Sequence, residues 1–397
     1  MKNLKKYFKN ILGSLALTSL MFAFSSCNDE PGDSPFVKKT AKSTVLVYAV
    51  ATNSLSGNLI SDKNEMLQAA PDINLYENNV LVFETKYQTL SDGTRGAKVN
   101  LLRLTPKGES YEWETVKEFD DDTAPLDPSR ITEVINYTTD NFKAESYGLV
   151  FWSHSTGSQP YIYSTKSSDS LAYSFGQDLT ATDDEFQQIN VDVLANSVPN
   201  NLFNFIWFDS CYMSNIETIY EFRNKCNTFV GYPTEVLEYG LPYNIVLPHM
   251  VGNNPDLLYA AELFYEYYQN SIATIAVVDM KGLEDFTQDC AAIFNTENEI
   301  NTSGFIKYTR YTTGPFYDLG DYAKKMASES GKELTDEEWN EILNKLVVYK
   351  AATKRDFANN LIDPERYSGI SAHIYSPTLD NPSENYYKSL AWFSRVF

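Results

Sequence analysis

Two apolar stretches of the sequence each end beside a side chain that can do nucleophilic chemistry. Residues 147–152 lead to His154, and residues 203–208 lead through Asp209 to Cys211. A cysteine thiolate can attack a carbonyl carbon, and an adjacent imidazole can hold the thiol proton and later give it to a leaving amine. The residue types therefore suggest acyl transfer. A lone histidine and a buried cysteine are nevertheless more often packing residues, so a structural role stays open.

Both stretches are rich in aromatic and β-branched residues, which is typical of strands buried on both faces of a parallel sheet. Functional groups in such sheets collect just past the carboxyl ends of the strands, so we expect His154 and Cys211 to face each other across adjacent strands. A helix predicted over 213–222 would place its N-terminus beside Cys211 and favour the thiolate. The backbone N–H groups of Cys211 and Ser155 are the expected donors of an oxyanion hole.

Segments with strand and helix patterns alternate along the 397 residues, which predicts an α/β/α sandwich around a mostly parallel central sheet. No clear linker divides the chain, so we expect one domain over 44–397, with its C-terminal third packed on the rest. Further strands are predicted at 45–50, 80–83, 228–231 and 272–278, a hairpin over 86–118, and helices at 62–70, 128–141, 183–193, 213–222, 254–268 and 335–354.

Residues 1–26 have the pattern of an export signal. Four lysines precede an apolar stretch of 14 residues, which is short for a transmembrane helix, and small residues then lead to Cys27. The arrangement resembles a bacterial lipoprotein signal, in which the cysteine is lipidated; an ordinary secretory signal is the alternative. Residues 27–43 are polar and rich in turn formers, so we expect a flexible tether to a lipid-anchored end. The expected location is the outer membrane, facing the periplasm or the cell surface.

The charge and the cysteine count limit the possible partners. A formal net charge of −21 repels phosphate backbones, which argues against nucleic acid as a partner. Three cysteines remain after residue 27, so at least one thiol is free in an exported protein. The three histidines are far apart in the sequence, and no CxxC pair or His/Cys cluster suggests a metal site.

Several pieces of the sequence together resemble the clostripain family of cysteine peptidases. The most specific is Asp-x-Cys-x-Met at 209–213 followed by Ile-Glu at 216–217. The others, in the family's order, are 44–48, 53–55, 62–66, 149–154, 233–235, 240–243 and 317–319. The resemblance implies a caspase-like fold and an endopeptidase that cleaves peptides or proteins through a thioester. It implies Cys211 as nucleophile and His154 as base, with no third member obvious, and no required cofactor.

The resemblance also implies further site residues. Asp209 matches an aspartate that lines the specificity pocket and attracts Arg or Lys at P1, although it could simply order the end of its strand. Glu235 lies where a second acidic residue of that pocket could stand. Lys166, in a polar loop between the two strands, is a suitable site for self-cleavage or an uncut loop lysine. Calcium assists some members, and the acidic runs 120–122 and 183–185 could hold it or be solvated surface.

Two positions depart from the family's pattern. Ser155 stands where the family usually has glycine, and it would distort the oxyanion hole if the backbone there needs a positive φ. Ser158 stands where an aromatic residue is common. These departures keep an alternative open: a catalytically silent member of the family that uses the same cleft to bind peptides or surface proteins.

Overall fold

The computed structural model describes most of the chain after residue 39: residues 40–89, 93, 95–120, 123–160, 174–180, 188–294, 299–308 and 316–397. The export signal with Cys27, most of the tether, Lys166 and the acidic run 183–185 lie outside the described residues. In the described ranges no helix is both long and apolar enough to cross a membrane.

A nine-stranded sheet in the order β10-β8-β7-β6-β5-β1-β2-β3-β4 forms the centre of the domain. The five inner strands of this sheet are parallel, and they are β7, β6, β5, β1 and β2. The outer strands on both sides are antiparallel. The strands are β1 (Ala41–Ala49), β2 (Asn78–Thr89), β3 (Arg95–Lys107), β4 (Ser110–Glu118), β5 (Ala144–Trp152), β6 (Phe203–Asp209), β7 (Cys226–Gly231), β8 (Thr274–Asp279) and β10 (Val347–Ala352), and a separate pair is formed by β9 (Phe316–Asp318) and β11 (Ser371–His373).

Helices cover both faces of the sheet, which explains why its inner strands are continuously apolar. Helices α1, α5 and α6 pack on one face, where Val47, Val150 and Trp207 point. Most other helices pack with the face that carries Phe151 and Phe208, whose ring centroids are 5.1 Å apart. This confirms the predicted α/β sandwich. The helices are α1 (Ser56–Ala69), α2 (Pro128–Asn141), α3 (Val191–Asn196), α4 (Ile216–Glu221), α5 (Tyr243–Met250), α6 (Leu257–Tyr268), α7 (Leu283–Ile293), α8 (Leu319–Glu329), α9 (Asp336–Leu343), α10 (Pro382–Ser389) and α11 (Ala391–Val396).

Five of the six predicted helices have the wrong bounds. The helix expected over 62–70 is α1, which begins earlier, at Ser56, and the helix expected over 254–268 is α6, which begins later, at Leu257. The helix expected over 183–193 is α3, which begins only at Val191, although 181–187 lie outside the description. The helix expected over 335–354 ends at Leu343, because the β-branched residues that follow form β10 and pair with β8. The helix expected over 213–222 is reduced to α4. The hairpin predicted over 86–118 is the antiparallel unit β2–β3–β4.

Candidate active site

The register of β5 and β6 brings the two reactive side chains together. Trp152 pairs with Asp209 across the two parallel strands, and His154 and Cys211 each follow two residues later. Both therefore leave the sheet at its carboxyl edge. They line one cavity of about 630 Å³, together with Ser54, Leu55, Trp152, Ser153, Ser155, Thr156, Gln177, Asp209, Ser210, Tyr212, Phe357 and residues 235–240.

His154 is half-buried in the wall of this cavity. Burial lowers the pKa of its imidazole, so the ring is neutral at pH 7 and can accept a proton. Its Nε2 atom lies 2.8 Å from Oγ of Ser54. Ser54 follows β1, the strand that pairs with β5 on the side away from β6. Ser54 is part of the piece 53–55 of the family resemblance, which implies no role for it.

Cys211 is also half-buried, and its sulfur contacts the backbone of Val236. The N–H of Val236 donates to Sγ at 3.4 Å. This bond favours the thiolate, because the charged sulfur is the better acceptor, whereas the thiol form donates to the carbonyl of Val236 at 3.8 Å. The dipole of a following helix contributes little: α4 begins only at Ile216 and its first turn is capped by the side chain of Asn215. The predicted helix-dipole effect on Cys211 is therefore wrong.

Long-range pairing, instead of a helix, holds the loop after Cys211. The N–H of Tyr212 donates to the carbonyl of Thr234 at 2.9 Å, and the N–H of Ser214 to that of Tyr232 at 3.0 Å. Tyr212 has a φ of 61°, which is uncommon for a residue with a side chain. These bonds fix the loop against the segment that follows β7, and α4 cannot begin earlier.

Ser155 occupies its position without the backbone strain that would require glycine. Positive φ occurs two residues later, at Gly157 with a φ of 72°, where an added Cβ would lie 2.7 Å from the carbonyl oxygen of Tyr212. The hydroxyl of Ser155 donates to the carbonyl of Cys211. Beside it, the backbone N–H of Thr156 makes a hydrogen bond. The N–H of Gly176 also donates, to the carbonyl of His154. Ser155 thus links the loop that follows His154 to the loop that contains Cys211.

Ser158 does not line the cavity. Its side chain is fully buried, and Oγ lies 3.5 Å from Oε2 of Glu217. Glu217 also accepts from the N–H of His373 at 2.9 Å. Ser158, the second departure from the family's pattern, therefore lies where the loop after His154 packs against α4 and β11.

Asp209 lies at the floor of the cavity with one oxygen unused. Its Oδ2 atom accepts from the N–H of Leu241 at 3.1 Å and from the hydroxyl of Tyr243 at 3.0 Å. Its Oδ1 atom is buried and finds no hydrogen-bond donor among the residues described. Burial raises the pKa of Asp209 to about 7, and the negative charge of Glu65 also raises it. A cationic side chain in the cavity would supply the missing donor and favour the ionised carboxylate.

A second buried carboxyl, Asp62 of α1, supports the wall of the cavity. Its Oδ2 atom accepts from the indole N–H of Trp152 at 2.8 Å. Burial, followed by the charge of Asp209, raises the pKa of Asp62 to about 9, so this group is protonated at neutral pH. Asp62 is part of the piece 62–66 of the family resemblance, which implies no role for it. The sequence feature that could have revealed its burial is an acidic residue on the same helix face as the apolar Leu59 and Met66.

The structure thus brings five predicted residues to one cavity: His154, Ser155, Asp209, Cys211 and Glu235. Lys166 and Cys27 lie outside the described residues. Asp120 pairs with the buried Arg130 at 2.7 Å. In the part of the chain that is described, no three His, Cys, Asp or Glu side chains are grouped so as to hold a metal ion.

The clostripain family model of peptidases matches residues 47–396. The chain is 22% identical to clostripain of Hathewaya histolytica over 426 aligned positions, which cover 88% of this chain and 77% of that protein. An inactive zymogen C11 protease from Parabacteroides distasonis is 26% identical, with a TM-score of 0.72 over 91% of this chain and 99% of that one. A secreted C11 cysteine protease from Bacteroides thetaiotaomicron, solved with an irreversible peptide inhibitor, has the same fold. It is 24% identical, with a TM-score of 0.72 over 90% of this chain and 99% of that one.

Proposed function

The chain belongs to the clostripain family of cysteine peptidases, and from this premise we propose that it cleaves peptide bonds through a thioester on Cys211, with His154 as general base. One observation carries the proposal. The two residues follow a registered pair of adjacent parallel strands, and both line a cavity that also contains Asp209 and Glu235.

The chemical steps follow from the positions of these groups. His154 takes the proton of Cys211, and the sulfur attacks the carbonyl carbon of the scissile bond. The backbone N–H groups of Ser155 and Cys211 stabilise the negative oxygen of the tetrahedral intermediate, at about 3–4 kcal/mol per donor. His154 then protonates the leaving amine, and the C–N bond breaks to give the thioester. A water molecule, deprotonated by His154, hydrolyses the thioester and restores the thiol.

The acidic floor of the cavity supports a preference for Arg or Lys at P1. A guanidinium or ammonium group that reached Oδ1 of Asp209 would satisfy a buried acceptor and neutralise its charge. Glu235 lines the same cavity and adds a second negative charge near the first. A neutral P1 side chain would leave the carboxylate of Asp209 without a counter-charge.

The same preference makes the chain a substrate for itself. Lys166 lies between the strands of the histidine and the cysteine, so we include self-cleavage after Lys166 in the proposal. The pattern of residues 1–27 supports export and lipidation of Cys27, with the peptidase held at the outer membrane by the tether. A thiol and an imidazole suffice for the chemistry, so no cofactor is required; calcium, if it acts, would bind as an accessory ion.

The test uses the purified protein and fluorogenic peptides that differ only at P1. We expect cleavage after Arg and Lys and labelling of Cys211 by a peptidyl chloromethyl ketone. Cys211→Ala should abolish both. Cys290→Ala, which removes a buried thiol outside the cavity, is the matched control and should retain both.

Two results would contradict the proposal. If Cys211→Ala cleaved arginyl peptides as fast as the parent, the nucleophile would be another group. If the parent showed no cleavage and no labelling after activation, the chain would be a silent member of the family that binds peptides.

A further inference from the structure

We propose that Ser54 is a positioning residue for His154: its hydroxyl accepts a hydrogen bond from Nε2–H and leaves Nδ1 as the nitrogen that takes the proton of Cys211. The inference rests on the proposed function. It starts from the distance of 2.8 Å between Oγ of Ser54 and Nε2 of His154. Ser54 lies 100 positions before His154 in the sequence, at the cavity end of the neighbouring strand β1.

The backbone around Ser54 is fixed by Asn53, which is buried. The side-chain amide of Asn53 donates to the carbonyl of Val50 at 3.0 Å and to that of Gln177 at 2.8 Å. Its side-chain oxygen accepts from the N–H of Leu55 at 2.8 Å. Asn53 therefore holds the chain on both sides of Ser54, and the serine hydroxyl is not needed to keep the loop in place.

A second set of bonds fixes the loop at Thr52. Its hydroxyl donates to Asp178 at 2.5 Å, and its carbonyl accepts from the N–H of Leu179 at 2.9 Å. The N–H of Ala51 donates to the hydroxyl of Thr85 at 2.8 Å. The loop is thus preorganised by buried groups from β2 and from the segment at 174–180. A rigid support of this kind is what the orientation of a general base requires.

Ser54 itself is exposed, and within the described residues its side chain makes no hydrogen bond other than that to His154. An exposed serine normally bonds to water. Here its hydroxyl lies beside Nε2 of His154. A hydrogen bond from Nε2–H leaves Nδ1 as the nitrogen that can accept the proton of the thiol. The charged or titratable groups that line the cavity with His154 are Asp209, Cys211, Tyr212, Glu235, Glu238 and Tyr239. None of the three carboxylates is hydrogen-bonded to the imidazole.

The chemical role follows from the two protonation states of the ring. In the neutral ring, Nε2–H donates to Ser54, and Nδ1 has the free lone pair. In the imidazolium both nitrogens carry protons, and the hydroxyl oxygen remains an acceptor for Nε2–H. Ser54 would therefore do with a neutral oxygen what the carboxylate of a catalytic triad does with a charged one.

The test compares three substitutions at residue 54 of the full chain. Ser54→Ala should lower kcat/KM for an arginyl peptide about tenfold, the effect expected for one lost hydrogen bond to a group that becomes charged. It should also move the limb of the pH–rate profile that reports the pKa of His154 to lower pH, because an acceptor for the imidazolium is lost. Ser54→Asp should move the same limb to higher pH, and Ser54→Thr should retain the parent's behaviour. Ser56→Ala, at the start of α1 and outside the cavity, is the matched control.

Nitrogen NMR of the imidazoles gives an independent readout, since the chain has 3 histidines. We expect the Nε2–H tautomer at His154 in the parent and a mixture of tautomers in Ser54→Ala. The inference is overturned if Ser54→Ala keeps the parent's rate and tautomer, or if its rate falls while the tautomer and the pH limb stay unchanged. An inactive, unlabelled parent would refute the proposed function instead, while the spectra would still test the bond.

Discussion

Asp209 and Asp318 are both buried carboxylates at the end of a strand, and they differ in what their oxygens contact. Asp318 caps α8: its Oδ1 atom accepts from the N–H of Gly320 at 2.8 Å, and its Oδ2 atom accepts from Ser368 at 2.8 Å and Tyr308 at 2.5 Å. In Asp209 only Oδ2 is bonded within the described structure, and the other oxygen is buried beside a cavity. A carboxylate with both oxygens bonded holds the fold, whereas a buried oxygen without a donor is unusual in a folded protein and calls for a functional reason.

The largest expected effect is on stability, at Asp318. Asp318→Ala would leave three buried donors without an acceptor and would remove the N-cap of α8, so we expect the free energy of unfolding to fall by about 3–5 kcal/mol. Urea unfolding at pH 7 measures this change. Asp256→Ala, which removes the exposed N-cap of α6, is the matched control, with an expected loss of about 1 kcal/mol. If the two variants lost the same unfolding free energy, Asp318 would be no more important to stability than an exposed N-cap.

The next effect is on activity, at Asp209. Asp209→Asn should lower kcat/KM for arginyl peptides about 100-fold, because a desolvated charge pair is lost. The free energy of unfolding at pH 8 should rise, since the folded protein no longer has to bury an ionised carboxylate. Fluorogenic peptides and urea unfolding measure the two quantities. Lower stability with unchanged activity would assign Asp209 the role of Asp318.

The pH dependence of KM sharpens the same contrast. The pKa of Asp209 in the folded protein, about 7, lies above the ordinary value of about 3.9, so ionisation costs the folded state free energy, and stability falls as the pH rises from about 4 to about 7. Substrate binding has the opposite sign, because a cationic P1 group needs the ionised form. KM for arginyl peptides should therefore rise as the pH falls from 8 to 6 in the parent and stay constant in Asp209→Asn, as steady-state kinetics can measure. A KM that rises equally in both would assign the titration to another group.

The smallest effect is expected at Asp62, the buried carboxyl that accepts from Trp152. This group is protonated at neutral pH, so Asp62→Asn replaces one neutral group by another that can still accept from Trp152. We expect a change in unfolding free energy of less than about 1 kcal/mol and little change in kcat/KM at pH 7. A large loss of either would show that Asp62 acts as a charged residue.

Local sequence signals predicted the elements whose ends are set locally. Asp127 and Pro128 open α2, and the predicted bounds of this helix are those observed. The apolar stretches gave β5 and β6, and hence the edge of the sheet at which His154 and Cys211 meet. These signals are contained in a few adjacent residues.

Signals that depend on distant partners were missed. The capping box at Thr335 predicted the start of α9, but its end depends on the pairing of β10 with β8. Likewise α4 is short because the chain before it bonds to residues 232 and 234. The roles of Ser54 and Asp62 depend on contacts to residues 100 and 90 positions away, which no local pattern contains.

The pairing of β5 with β6 also determines what a cut between them would do. The two strands are joined over five registered pairs, from Gly148 with Phe205 to Trp152 with Asp209. The flanks of the polar loop are anchored separately, one through Ser155 to Cys211 and the other through Asp178 to Thr52. Severing the backbone at Lys166 would therefore yield two polypeptides that stay associated, with His154 and Cys211 on different chains, until a denaturant separates them.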